Sequence, residues 1–341
     1  MERVVLGKTG LEVHRLGFGG IPIQRVGERQ AVETVLHAIE RGVDFIDTSR
    51  AYTTSERRIG KALAQTDKKV TLASKSQSRT SDKVRKDLET SLGELKRNYI
   101  DLYQTHFVRD EQVYEQVISP GGALEGMIKA RDEGLIGHIG ITSHSLNLMD
   151  RILDDGLFET VMVCFSFLEP LARERIIPKA RERDIGVIAM KPFSGGFIDN
   201  ASLALKYVLS HPGIVALAGV EQKDLFDENW EIFQGSYELN GSEKREIEEI
   251  QSRYKKNFCR RCDYCQPCTE DIPIQHILGV RSWVKRMGKH IMQEGLMAKA
   301  IESAKNCTEC GECMTRCPYE LPIPELIKEN LEWVDEQLKS P

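Results

Sequence analysis

Two sets of residues in this chain of 341 amino acids have the types and spacing to do chemistry. The first set is cysteine. Of nine cysteines only Cys164 precedes residue 259, and the other eight form two tight groups. Cys259, Cys262, Cys265 and Cys268 follow one another at two-residue gaps. Cys307, Cys310, Cys313 and Cys317 do the same with a three-residue last gap, and Pro318 follows. Four soft thiolates on a short loop suit an iron–sulfur cluster or zinc. In a reducing compartment, clustered cysteines more often bind metal than each other. Cys164, inside an apolar run, reads as a core residue. The second set is Asp47, Tyr52, Lys75 and His106, ionisable groups of four kinds. Singly, each reads as a helix cap, a packing residue or a surface group. At one place, they could hold and move a proton.

The elements that would bring the second set together are short and regular. Apolar runs at 13–16, 43–46, 70–73, 100–103, 136–141, 161–165, 185–189 and 214–217 alternate with helical patterns such as 29–41, 56–65, 82–96, 123–133 and 173–183. Continuous apolar strands between helices imply a parallel sheet buried on both faces. Eight such units predict an α/β chain with a closed (β/α)8 TIM barrel, whose active site lies at the C-terminal ends of its strands. Asp47, Lys75 and His106 come one, two and three residues after the second, third and fourth runs, and Tyr52 lies in the loop above the second. Gly17-Phe-Gly-Gly20 lacks the G-x-G-x-x-G spacing of an open dinucleotide-binding sheet, and reads as a turn at the barrel mouth.

Beyond about residue 240 the pattern changes. A charged helix is expected over 242–254 with Ser242 as N-cap, a helical stretch over 276–305, and a final amphipathic helix over 324–338 with Leu326, Ile327, Leu331 and Val334 on one face. The boundaries are set at 1–240 for the barrel and 241–341 for a linker helix, a small, mainly α-helical cysteine domain and a C-terminal helix. Residues 257–323 hold several prolines and only short apolar segments, so their own core is expected to be thin and their fold to depend on bound metal.

The composition excludes several classes. With 40% hydrophobic and 29% charged residues the chain is neither disordered nor fibrous. A net charge of -5, with both signs interspersed, argues against a nucleic-acid partner. The N-terminus shows no signal pattern and no apolar run reaches the ~18–20 residues that span a bilayer, so the expectation is a cytoplasmic protein with no membrane partner.

The run 42–52, Gly-Val-Asp-Phe-Ile-Asp-Thr-Ser-Arg-Ala-Tyr, followed by Ser55-Glu-Arg-Arg-Ile-Gly60, resembles the signature of the aldo-keto reductase family. Ala73-Ser-Lys75, Asp101-Leu-Tyr-Gln-Thr-His106, Gly134-Leu-Ile-Gly-His-Ile-Gly-Ile141 and Asp227-Glu-Asn229 continue it in order, over roughly residues 5–235. The resemblance implies a catalytic tetrad of Asp47, Tyr52, Lys75 and His106, acting between NAD(H) or NADP(H) and a small carbonyl or alcohol. The logic suits carbonyl reduction, because hydride arriving at carbon leaves charge on oxygen and a proton donor must sit beside it. Tyrosine, with an unperturbed pKa of about 10, needs a neighbouring ammonium to favour its phenolate. Asp47 would hold Lys75, and His106 would orient or polarise the carbonyl.

The cofactor contacts depart from that family. Thr142 and Ser143 stand where the family has Ser-Asn, Met162 stands for a Gln, and Met190 and Lys191 for the ring-stacking Tyr. Gly195 in the 191–196 loop, and Gly219, Glu221 and Lys223 leading into the last barrel helix with Glu228 and Asn229, retain a place for pyrophosphate. Gly219 and Leu225 replace the basic 2′-phosphate clamp of many relatives, so NADH is expected to bind no worse than NADPH.

The 307–318 run matches that of bacterial ferredoxins, which bind [4Fe–4S] cubes. The whole chain thus resembles a subgroup of aldo-keto reductase-like proteins with a C-terminal ferredoxin-like iron–sulfur domain. Following the ferredoxin division, Cys259, Cys262, Cys265 and Cys317 would hold one cluster, and Cys307, Cys310, Cys313 and Cys268 a second. Zinc, or one cluster with unused thiols, is the alternative. A cube carries one electron and hydride moves two, so the clusters either serve an electron-transfer protein or are structural. A protein of another class, an electron-transfer or docking module whose barrel has lost its nicotinamide chemistry, is the competing reading.

Overall fold

Aliphatic and β-branched residues between positions 16 and 219 form eight parallel strands that close on themselves, each buried on both faces. In this computed structural model, which describes residues 1–339 apart from the side chain of Arg286, a short antiparallel hairpin comes first, β1 (Arg3–Val5) and β2 (Glu12–His14). The barrel strands are β3 (Leu16–Gly19), β4 (Phe45–Asp47), β5 (Thr71–Ser76), β6 (Ile100–Thr105), β7 (Ile136–Thr142), β8 (Thr160–Cys164), β9 (Gly186–Met190) and β10 (Ile214–Gly219). They pair in chain order, and β10 returns to β3 to close the ring. This is the (β/α)8 barrel that the alternation implied.

The first strand lies three residues later than expected. Val13 belongs to the hairpin, and Leu16 to Gly19 form the barrel wall instead of a turn. The cause is crowding: a Cβ on Gly17 would stand 2.7 Å from the Phe45 ring and 3.0 Å from Leu217. Glycine there marks close approach between strands and not a break in one.

Side chains alternate along each strand, so inward positions stack in layers. Phe45, Ala73, Leu102, Met162, Ile188, Val215 and Leu217 form one apolar layer inside the barrel, and Leu6 and Val13 of the hairpin segment pack into it. Gly7 bridges to Ile185, just before β9 begins, so the hairpin covers the N-terminal ends of the strands. Two residues further along β4, β5 and β6, the same parity brings Asp47, Lys75 and Gln104 to the next layer.

The chain divides into two compact units, one of residues 1–144 and 148–243, the other of residues 145–147 with those from 244 onward. At the boundary, the helix Gly241–Arg253 is capped by Asn240, whose Oδ1 accepts from the N–H groups of Ser242 and Glu243; Ser242 is not the cap. The stretch expected as one helix is broken into Ile274–Leu278, Val280–Met287, a single turn Lys289–Met292 and Gly295–Ala304. Gly288 and Gly295, at φ of 96° and 72°, take left-handed conformations at the breaks. The last helix is Ile323–Lys339, with Leu326, Ile327 and Val334 buried and Leu331 half-buried.

The second unit also corrects the expectation of a thin core. Ile272, Ile277, Val280, Ala300, Ile323 and Ile327 are buried among further aliphatic side chains in one cluster, and the cysteines sit against it. Among the described residues, no helix is long and apolar enough to cross a membrane.

Candidate active site and metal centre

The Lys75 ammonium is the centre of the barrel site. It is 1% exposed and donates to Asp47 Oδ1 at 2.6 Å and to the carbonyl of Thr48 at 2.6 Å. It also hydrogen-bonds Tyr52, whose ring centroid lies 5.0 Å from Nζ. Burial works against the charge, but Asp47 and Tyr52 outweigh it and hold the ammonium above its ordinary pKa. Gln104 Nε2 donates to the other carboxylate oxygen of Asp47 at 3.3 Å. Asp47 is the last residue of β4 and Lys75 the next to last of β5, so rigid strands fix the pair.

His106 follows β6, and its ring meets that of Tyr52 edge-on at 5.5 Å. Burial, then the charges of Lys75 and Arg79, push its pKa well below the usual histidine value, so the imidazole is neutral at pH 7. Arg79 clamps the loop from beside it, donating to the carbonyls of His106 and Phe107 at 2.7 and 3.0 Å. Ser49 Oγ lies 2.8 Å from His106 Nδ1. Glu56, buried, accepts from Ser74 at 2.6 Å and pairs with Arg50, bracing the helix Ser55–Leu63 against β5. The structure therefore brings all four residues of the tetrad to one end of the barrel.

The residues assigned to the cofactor fall in different surroundings. Thr142 ends β7 with its hydroxyl accepting from the Phe107 N–H at 2.8 Å, and Ser143 donates from its backbone to Met162 O at 3.2 Å. Met162 is in the apolar layer, 2% exposed, and Met190 at the end of β9 packs against that layer while half-exposed. Lys191 has a φ of 59° and places Nζ 3.2 Å from His144 Nε2. Gly195, at φ 72°, lies in the same loop. Gly219 ends β10, where a Cβ would stand 2.9 Å from Pro22. Glu221 is half-exposed and holds Gln30 and Thr34 through its backbone carbonyl. Lys223 opens the helix Lys223–Gln234 with Nζ 3.5 Å from Glu33; in that helix Glu228 is exposed and Asn229 buried.

Sequence reasoning passed over Ser49, Arg79, Gln104 and Glu56. Ser49 and Glu56 lie inside the 42–60 signature run, and Gln104 stands two residues before His106 with the same strand parity, so their positions carried the signal.

In the second unit the cysteines gather in two fours. The sulfurs of Cys259 and Cys317 lie close enough to Cys262 and Cys265 to disfavour their thiolates. Burial, the larger cause, pushes the Cys262 thiol up to about 12 and raises that of Cys265 as well. Cys313 is pushed up by burial and then by Cys268, Cys307 and Cys310. The last four border a pocket closed by Ile272, Ile274 and Ile327. Cys268 and Cys317 have thus exchanged groups relative to their places in the sequence. Two sets of four soft donors, each against an apolar wall, fit iron–sulfur cubes in both number and chemistry.

Residues 15–202, more than half of the chain, match the sequence pattern of the aldo/keto reductase family. The chain belongs to that family. Residues 258–322 match a 4Fe-4S dicluster domain, so this aldo/keto reductase carries an iron–sulfur domain at its C-terminus. An L-galactose dehydrogenase of Arabidopsis thaliana is 29% identical over 217 residues, covering 58% of this chain and 67% of that protein. An aldo-keto reductase of Bacillus subtilis is 28% identical over 204 residues, 54% of this chain and 60% of the relative. The chain thus spans from 60% to 67% of the length of these two relatives. Among solved structures, an aldo-keto reductase of Bacillus halodurans in its holo form superposes with a TM-score of 0.63 at 22% identity, over 73% of this chain and 96% of that one. A Klebsiella pneumoniae aldo-keto reductase in complex with NADPH gives 0.63 at 20% identity, over 74% and 95%. At such identities the likeness establishes the fold.

Proposed function

We propose that this aldo/keto reductase transfers hydride between a nicotinamide cofactor and a small carbonyl or alcohol, and that its C-terminal unit holds two [4Fe–4S] clusters. The observation that carries the first part is the buried Lys75 ammonium bonded to both Asp47 and Tyr52, with a neutral His106 beside it. In this reading Tyr52 gives its proton to the carbonyl oxygen as negative charge develops there. Lys75 stabilises the phenolate left behind, and Asp47 with Gln104 keeps Lys75 in place. His106, being neutral, acts as a hydrogen-bond donor that orients the oxygen. The cofactor supplies the hydride.

Thr142, Ser143, Met190, Lys191 and Gly195 on the loops after β7 and β9 would face the nicotinamide end, with Met162 in the apolar layer beneath. Gly219, Glu221 and Lys223, with Glu228 and Asn229 in the helix that follows, would take the phosphates and adenosine. The lack of room for a side chain at Gly219, and the draw of Lys223 toward Glu33, favour NADH binding no worse than NADPH. For the clusters, the two fours assign Cys259, Cys262, Cys265 and Cys317 to one and Cys268, Cys307, Cys310 and Cys313 to the other. The clusters pass single electrons to or from an outside protein, or else serve the fold. Eight thiols without disulfides suit a reducing compartment such as the cytoplasm.

The test follows nicotinamide absorbance with a panel of aldehydes and ketones. Wild-type protein should oxidise NADH or NADPH with at least one of them, and Tyr52→Phe should not. Equal rates in the two proteins would overturn the assignment.

A further inference from the structure

The reaction described above needs more of His106 than neutrality. A neutral imidazole has two tautomers, and only one carries its proton on the nitrogen that can reach a substrate. If Nδ1 holds the proton, Nε2 presents a lone pair and repels a carbonyl oxygen. If Nε2 holds it, the ring donates a hydrogen bond. Some group on the far side of the ring must choose between the two.

We infer that Ser49 is that group: its hydroxyl donates to His106 Nδ1 and so keeps the proton on Nε2. Ser49 is 1% exposed, and its Oγ lies 2.8 Å from Nδ1. The hydroxyl has one proton and two acceptors within reach, Nδ1 and the Lys75 carbonyl oxygen at 3.3 Å. The shorter contact is the stronger one, and 3.3 Å is beyond the usual O–H···O range. The backbone N–H of Ala51 donates to the same oxygen at 3.1 Å, satisfying it as an acceptor without any help from the ring. Among the described residues Nε2 has no protein partner, which leaves it for a ligand. Since burial, and then Lys75 and Arg79, disfavour an imidazolium, the ring does not satisfy both sides by taking a second proton. Ser49 is then a positioning residue: it touches no reacting atom, and acts through the ring.

This inference rests on the proposed role of His106, and its test separates the two. In protein labelled with 15N-histidine, the ring nitrogens report which one bears the proton, whether or not a substrate turns over. His106, assigned by its loss in His106→Gln, should show protonated Nε2 and bare Nδ1 in the wild type at pH 7. Ser49→Ala should shift it to a mixture or to the Nδ1–H form. The same variant should lose roughly tenfold or more in kcat for carbonyl reduction, with KM for the cofactor unchanged, and Ser49→Thr, which keeps the hydroxyl, should retain the wild-type tautomer. A wild-type ring protonated on Nδ1, or a Ser49→Ala ring with its tautomer unchanged, would overturn the inference. If the tautomer shifts but turnover does not, Ser49 still sets the ring, and the role given to His106 is what falls.

Discussion

The two sites of this chain are built on opposite plans. In the barrel the central charged groups already have their partners: Lys75 lies between Asp47 and Tyr52, and Glu56 is matched by Arg50 and Ser74. Strand ends hold the pieces. In the C-terminal unit the functional groups are eight like side chains, and at Cys262, Cys265 and Cys313 burial and then the neighbouring sulfurs disfavour the thiolate. The first site is complete as protein. The second is completed by what it binds, since ligating thiolates need a cationic core to offset their charge. Pre-paired charges give side chains whose arrangement is fixed when the fold is intact, whereas clustered thiols give an arrangement that depends on loading.

Tyr52→Phe should break the barrel side hardest. Removing the proton donor at constant shape should lower kcat about 10³-fold, in the range typical of general acid–base groups, while cofactor affinity stays within twofold. Lys75→Met is the poorer probe, because an unpaired buried Asp47 would also cost about 3–5 kcal/mol of stability. A tyrosine-less enzyme that still turns over normally would mean that the paired charges serve the fold alone.

For the cysteine side, protein purified without oxygen should contain about eight iron and eight sulfide per chain if two cubes are bound. Cys265→Ser or Cys313→Ser should halve that count. Chelation should raise amide exchange in the cysteine loops, residues 258–273 and 305–322, and leave the barrel strands protected. The helices that share the core of Ile272, Ile277, Val280, Ala300 and Ile327 should loosen less than the loops. Stoichiometric zinc without iron, or loops equally protected after complete metal removal, would erase the contrast between the sites.

A subtler contrast concerns acid. His106 titrates well below the ~6.5 of an unfolded histidine, so the unfolded chain binds a proton there that the folded chain refuses. Its contribution to stability is fully present above pH 6.5 and is lost as pH falls below that value, at up to about 1.4 kcal/mol per pH unit. The stability difference between wild type and His106→Gln, measured by urea unfolding of the barrel, should therefore narrow from pH 7 to pH 5. Parallel curves would place the imidazole in contact with water. The smallest effect expected is cofactor choice: NADH should bind no worse than NADPH, and a tenfold preference for NADPH, about 1.4 kcal/mol, would contradict the reading of Gly219 and Lys223.

Much of this was legible in the sequence because the signals were local. Each barrel strand after the first coincided with a short, mostly apolar run, and Asp47 and Tyr52 sat in one short motif. The misplaced first strand shows the limit of that logic, since Gly17 looks like a turn until the Phe45 ring it accommodates is known. The Ser49–His106 contact spans 57 residues, and only closure of the barrel creates it. The core of the C-terminal unit was underestimated for a different reason. Ile274, Ile277, Val280 and Val284 are spaced by three or four residues, so they never form a run but do form a buried face.

The hairpin beneath the barrel has a consequence for traffic. With Leu6 and Val13 seated in the apolar layer and Gly7 bridged to Ile185, the barrel has a floor at the end opposite the rim where Tyr52 and His106 stand. In the proposed reaction, hydride donor and hydride acceptor would both enter from that rim. Whichever lay deeper would then arrive first and depart last, an order set by the first fourteen residues of the chain, at the opposite end of the strands from the tetrad.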